Sequence, residues 1–274
     1  MRKKITLKAQ GRLLKIVAHT GSATGSYGKR SEVRDFSRAS RLRLLQKMAT
    51  INVEGGKAVI FVTLTYGTLF PVPHVAKRHL DNFLKRILRR FPHASAIWRL
   101  EFQERGAPHF HIMFFNLPFL YKRTLKRIWG AVIGREYWDL LHGKPSEPFT
   151  RIEMLNGYRH AAAYMSKYVA KLPSSGGFNF ASYLTDDGEF LHPETDESDG
   201  GIGRWWGVFN KACLPIAMAT TVIELFWQSS TFHSFMRALE RAAKRSLGRN
   251  GGASRFLDNP TRWLTYWDYL TIAG

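Results

Sequence analysis

The side chains best suited to chemistry begin in the run Trp98-Arg99-Leu100-Glu101-Phe102-Gln103-Glu104-Arg105-Gly106-Ala107-Pro108-His109-Phe110-His111. His109 and His111 are two apart, so on a strand both imidazoles project from one sheet face while Phe110 and Ile112 point into the core. On the preceding strand Trp98, Leu100 and Phe102 share the core side, which places Arg99, Glu101 and Gln103 on the other. With Arg105, Gly106 and Ala107 as the turn, Glu101 sits directly across from His111. A His, His, Glu set of this kind leaves coordination positions open and suits Mg²⁺ or Mn²⁺ in phosphate chemistry, with Zn²⁺ able to occupy it in vitro. Its physical task is to polarise a phosphodiester oxygen and offset charge that builds at phosphorus. A lone His-x-His pair reads equally as a surface or structural pair; Glu101 in the right phase narrows the choice.

The second stretch is Tyr164-Met165-Ser166-Lys167-Tyr168-Val169-Ala170-Lys171. On a helix Tyr164 and Tyr168 stack on one face, and Lys167 and Lys171 form an adjoining column. Two hydroxyl nucleophiles and two cations are then presented together. A tyrosine hydroxyl, with a reference pKa of ~10, attacks poorly at neutral pH, so the lysines would lower that pKa or offset transition-state charge. Read alone, the same spacing is ordinary packing beside a solvated flank.

Positioning these groups requires a sheet and its helices. Residues 58–66 (AVIFVTLTY) are β-branched and aromatic and read as a buried strand. Residues 71–91 read as a helix with Val75, Leu80, Phe83, Leu84, Ile87 and Leu88 inward and Lys77, Lys85, Arg86, Arg89 and Arg90 elsewhere. Strands are expected at 95–103 and 109–115 with 104–108 as the turn, a basic helix at 121–133, a short strand at 149–154 and a helix at 157–171. The fold class is α+β. Three regions are expected: a basic N-terminal extension over 1–50, a catalytic domain over 51–175, and a C-terminal region over 176–274. Within the first, residues 32–49 read as a helix carrying Phe36, Leu42, Leu45 and Met48 on one side. The last holds an acidic loop at 185–200 and a basic helix from about residue 231 to 247 with Arg237, Arg241, Lys244 and Arg245.

Charge narrows the partner. The chain has 274 residues, with 41 Lys and Arg against 21 Asp and Glu for a formal net charge of +20. Hydrophobic residues are 45%, enough for a core and against wholesale disorder. Residues 1–50 hold thirteen Lys or Arg against Glu32 and Asp35, while seven carboxylates crowd into 185–200, so the rest of the surface is more basic than the total suggests. Such a field attracts phosphate backbones or anionic lipid. The longest apolar stretch, Leu214 to Trp227, carries Glu224 and falls short of the ~20 residues a span requires, so nucleic acid is favoured over a membrane. No signal peptide is read, and the single Cys213 fits a reducing cytoplasm. No Gly-x-x-x-x-Gly-Lys-Ser/Thr loop for ATP is present.

Three stretches resemble the HUH endonucleases, specifically rolling-circle replication initiators of small single-stranded DNA phages and plasmids. Phe61-Val62-Thr63-Leu64-Thr65-Tyr66 looks like the family's first motif, Gly106 to His111 like its metal motif, and Tyr164 to Lys171 like its nucleophile motif. Glu101 matches the position of an acidic third ligand in related viral initiators. Gly203-Arg204-Trp205-Trp206-Gly207-Val208-Phe209-Asn210 looks like a downstream element of microvirus-like initiators, so the resemblance spans about 57–215. It implies a five-stranded antiparallel sheet flanked by helices, similar to an RNA-recognition fold, with the metal on the open face. It further implies nicking of one strand at an origin, with a tyrosine forming a 5′-phosphotyrosyl link and releasing a 3′-hydroxyl. Single-stranded or hairpin origin DNA is the implied substrate, a host helicase and DNA polymerase the implied partners, and the cytoplasm of a bacterial host the implied location. A conjugative relaxase or transposase would use the same groups on the same fold. A non-catalytic single-strand binder would instead stack bases on Tyr164 and Tyr168, and a structural zinc site is disfavoured by the shortage of a fourth ligand.

Overall fold

The computed structural model describes residues 4–18, 36–52, 58–141, 144–146, 150–155, 202–226, 233–239, 241, 250–251 and 254–256. In chain order the elements are β1 (Lys4–Gln10), β2 (Leu13–Ala18), α1 (Arg38–Ala49), β3 (Val59–Leu64), α2 (Pro73–Arg90), β4 (Ser95–Phe102), β5 (Pro108–Phe115), α3 (Lys122–Ile133), β6 (Asp139–Leu141), β7 (Lys144–Ser146), β8 (Thr150–Leu155), β9 (Trp206–Phe209), β10 (Ala219–Phe226), β11 (Asn250–Gly251) and β12 (Ser254–Phe256). Residues 233–239 are also helical. The architecture is α+β. Two compact units divide the chain: one draws on both flanks (1–30, 38–52 and 215–274), the other on 31–37 and 53–214. None of the described helices is long and apolar enough to cross a membrane.

The flanking unit is built on a sheet in the order β10-β1-β2-β12-β11. β1 and β2 form a hairpin across a two-residue turn, in which Gly11 takes a φ of +57° that a side chain resists. A Cβ there would also lie 2.5 Å from the Ala49 carbonyl oxygen. Leu7, Ala9, Leu13 and Leu14 are buried while Lys8 and Lys15, directly paired, are exposed. Strands thus occupy part of the first fifty residues, where sequence alone indicated only a basic extension and a helix. The helix itself starts at Arg38 and buries Leu44 and Met48. Phe36 lies ahead of it, in the other unit, stacked on Trp205 with ring centroids 6.2 Å apart.

The second unit carries an open five-stranded sheet, β8-β3-β5-β4-β9, with every neighbouring pair antiparallel. β3 is buried along its whole length, as its unbroken apolar run requires. α2 and α3 cover one face of the sheet. Phe83 of α2 meets Phe114 of β5 and Trp129 of α3, at 6.5 and 5.8 Å between ring centroids, and Trp129 donates its indole N–H to the Thr65 carbonyl at 2.6 Å. α2 opens on Pro73, whose missing N–H is no loss at that position, and ends on Arg89 and Arg90, cations at the negative end of the helix dipole.

β9 forms the sheet's edge, with Gly207 paired to Trp98. A Cβ on Gly207 would stand 2.8 Å from the Trp98 ring, so the strand can seat there only without a side chain. Gly207→Ala is expected to lower the unfolding free energy by about 1–3 kcal/mol, read as a shift of the urea midpoint.

Candidate active site

In an antiparallel pair, directly opposed residues share a face. Thr63 pairs with His111, Arg99 with His111 across the other side, and Glu101 with His109. Phe61, Thr63, Arg99, Glu101, His109 and His111 therefore stand on one face, and Val62, Leu64, Trp98, Leu100, Phe110 and Ile112 on the face covered by α2 and α3. The period-two expectation for Glu101, His109 and His111 holds.

The hairpin register differs from the expected one. Glu101 is opposite His109 rather than His111. The loop is Glu104, Arg105 and Gly106, closed by Gln103 N–H to the Ala107 carbonyl at 3.0 Å, instead of Arg105 to Ala107. Gly106 has a φ of +84°, and a three-residue hairpin loop places its left-handed glycine last, which moves the loop back by one residue. The resulting shift of pairing is two residues, so every side chain keeps its face.

The three expected ligand residues come together. Glu101 Oε2 lies 3.1 Å from His111 Nε2, and the imidazoles of His109 and His111 meet edge to face at 4.5 Å between centroids. His111 is held on its remaining sides by Thr63 Oγ1, 3.4 Å from Nδ1, and by the Phe61 ring stacked at 5.7 Å. Only 4% of His111 is exposed, whereas the Glu101 carboxylate keeps 23% of its surface open. An ionised Glu101 accepts from the Nε2–H. Two imidazoles and a carboxylate suit a divalent cation in kind. Among the described residues, however, no three His, Cys, Asp or Glu side chains stand in a metal-holding arrangement, because His111 Nε2 faces the carboxylate. Coordination requires that pair to part. The stretch Tyr164, Lys167, Tyr168 and Lys171, the expected helix at 157–171 and the acidic loop at 185–200 lie outside the described residues.

Sequence types gave no signal for Arg105. Its Nη1 donates to the Gly67 and Thr68 carbonyls at 2.6 and 3.1 Å, its Nη2 to Tyr66 at 2.9 Å, and its Nε to Gln103 Oε1 at 3.1 Å. The guanidinium also sits 5.3 Å over the Phe70 ring. The tip of the hairpin joining Glu101 to His109 is thereby tied to the chain leaving β3. Arg105→Ala is expected to lower stability by about 1–3 kcal/mol, with Arg105→Lys recovering little because an ammonium lacks the planar fork; urea titration measures both.

Arg99 was placed on this face without a role. It is 3% exposed, paired with His111, and its guanidinium lies 4.9 Å over the Phe36 ring. It brings a fixed positive charge within one residue pair of the histidines.

Tyr66, the last residue of the first motif, turns to the helix side. It is 2% exposed, within 5.3 to 6.0 Å of the Trp129, Tyr137 and His79 rings, and its hydroxyl lies 3.1 Å from His79 Nδ1. Burial holds His79 below its ordinary pKa, opposed by Glu136 and reinforced by Arg78. The unfolded chain therefore takes up this proton first. Stability from neutral His79 is complete above ~6.5 and is lost as pH falls through the lower folded value. The urea midpoint is expected to drop between about pH 7 and 5, with a smaller drop in His79→Gln.

With this geometry in hand, the comparison with known families is specific. Residues 59–173 match the family model for replication-associated proteins of the ORF2 type. The matched segment begins at the first residue of β3, includes the Glu101, His109 and His111 hairpin, and ends just past Lys171. It covers less than half of the 274 residues. The second unit thus carries a replication-associated, Rep-like segment. Comparison with curated proteins and with solved structures found no match.

Proposed function

We propose that the protein is a rolling-circle replication initiator of the HUH endonuclease type that nicks and rejoins one DNA strand at an origin. The observation that carries this reading is the convergence of Glu101, His109 and His111 on one sheet face inside the replication-associated match. Those three residues would hold Mg²⁺ or Mn²⁺, which when bound polarises a phosphodiester oxygen. Thr63 and Phe61 fix the His111 ring, so the ligand face is organised before DNA arrives. Tyr164 or Tyr168 attacks the scissile phosphorus. The P–O3′ bond breaks, the 3′-hydroxyl leaves with a proton, and a 5′-phosphotyrosyl bond preserves the energy for rejoining. Lys167 and Lys171 lower the hydroxyl pKa or offset charge on the phosphorane-like transition state. The second tyrosine permits another cut after a round of synthesis, when the liberated 3′-hydroxyl displaces the first. Strand separation and synthesis fall to a host helicase and polymerase, in a bacterial cytoplasm.

The test is incubation with a single-stranded origin hairpin and Mn²⁺, followed by a denaturing gel. A DNA adduct is expected in Tyr164→Phe and Tyr168→Phe singly, and none in the double variant or in His109→Ala. A second reading is favoured by the His111–Glu101 hydrogen bond as it stands: a structural pair in a non-catalytic single-strand binder. That protein would shift the hairpin on a native gel and give no adduct under any condition.

A further inference from the structure

The loop before α3 and the helix itself form an unusual surface on the side of the sheet away from the histidines. Phe119 and Tyr121 are 51% and 79% exposed, a large apolar area to leave in water. They lead into Lys122, Arg123, Lys126 and Arg127, and from residue 106 to residue 135 there is no Asp or Glu at all. Arg123 and Arg127, four apart, are both on the exposed side, while Leu125, Trp129 and Ile133 face the core. The first turn of α3 has two cations, no acid and no side-chain cap, the reverse of what a helix dipole prefers. On the neighbouring α2, by contrast, Asp81 offsets Lys85 at 2.6 Å. Yet α2 still exposes Arg78, Arg86, Arg89 and Arg90 on the same side of the sheet.

Uncompensated cations beside exposed aromatic rings match one chemistry. Phosphates supply the missing negative charge, and unpaired bases stack on the rings. A protein partner would meet the rings but would need its own acidic surface to answer the arginines. A duplex would answer the arginines and leave the rings unused. We propose that α3 and the loop before it hold a second segment of single-stranded nucleic acid, apart from the histidine face. The proposal does not depend on strand cleavage, since a strand is held there whether or not another is cut.

The experiment is fluorescence anisotropy of a labelled oligothymidine over a salt series with the full chain. Arg123→Ala with Arg127→Ala is expected to lower the slope of log affinity against log salt by about 1.4, at roughly 0.7 per phosphate contact. Neutralising Lys8 and Lys15, equal in charge and exposed in the other unit, is expected to leave the slope unchanged. Tyr121→Ser is expected to weaken oligothymidine binding about tenfold with little change for duplex DNA. All of these positions are exposed, and circular dichroism checks that each variant folds. An unchanged slope in the arginine variant, or an equal fall in the lysine control, overturns the proposal. So does a Tyr121→Ser protein that binds oligothymidine as before but loses self-association in sedimentation, which would make the rings a protein contact.

Discussion

Replacing Tyr164 and Tyr168 together by Phe is expected to reduce strand cleavage by about 10⁴-fold or more while DNA affinity changes little. The phenyl rings keep the area and the stacking surface of tyrosine and lose only the hydroxyl. Binding by charge, which follows from +20 on the chain, therefore persists. Chemistry does not, because water at the same phosphate is a weaker, unpositioned nucleophile and leaves no covalent link. The single variants separate roles. If each hydroxyl can reach the phosphate, each single variant still makes the first cut, but neither completes the second transfer. A time course with a radiolabelled hairpin measures both steps.

His111→Ala is the second large effect, with cleavage expected to fall by about 10³-fold, equivalent to the several kcal/mol that metal polarisation supplies. His111 is the most enclosed member of the site, between Thr63, Phe61 and Glu101. Its removal takes away a nitrogen ligand and leaves the half-buried Glu101 carboxylate without its N–H, for an added stability loss of about 2 kcal/mol. Glu101→Gln keeps the shape and a hydrogen-bonding oxygen, so a milder fall of about 10- to 100-fold is expected. The ordering His111→Ala below Glu101→Gln, at equal DNA occupancy, is the signature of a shared ligand set. Initial rates in a Mn²⁺ titration give it directly.

Much of the second unit was legible because its burial pattern is simple. β3 is apolar without interruption, α2 repeats its core residues at helical spacing, and α3 does so between basic positions. The face shared by Glu101, His109 and His111 followed from period two alone. Their register did not, since it depended on the left-handed φ of Gly106, and alternation is blind to a shift of two. Residues 4–18 show why charge misleads: Lys8 and Lys15 mark the solvent side of a hairpin whose other side buries Leu7, Leu14 and their neighbours. The partners of that hairpin, β10 and β12, lie more than two hundred residues along the chain, beyond any local pattern. Arg105 and Arg99 were opaque for the same reason. One grips carbonyls of residues 66–68, and the other lies over Phe36.

Peptide mapping of the trapped DNA complex by mass spectrometry addresses the central claim most directly. The account predicts a nucleotide attached through phosphate to Tyr164 or Tyr168, formed with Mn²⁺ and lost with EDTA or in His109→Ala. A nucleotide on any residue outside that turn, or the same linkage formed equally well in EDTA, would contradict it.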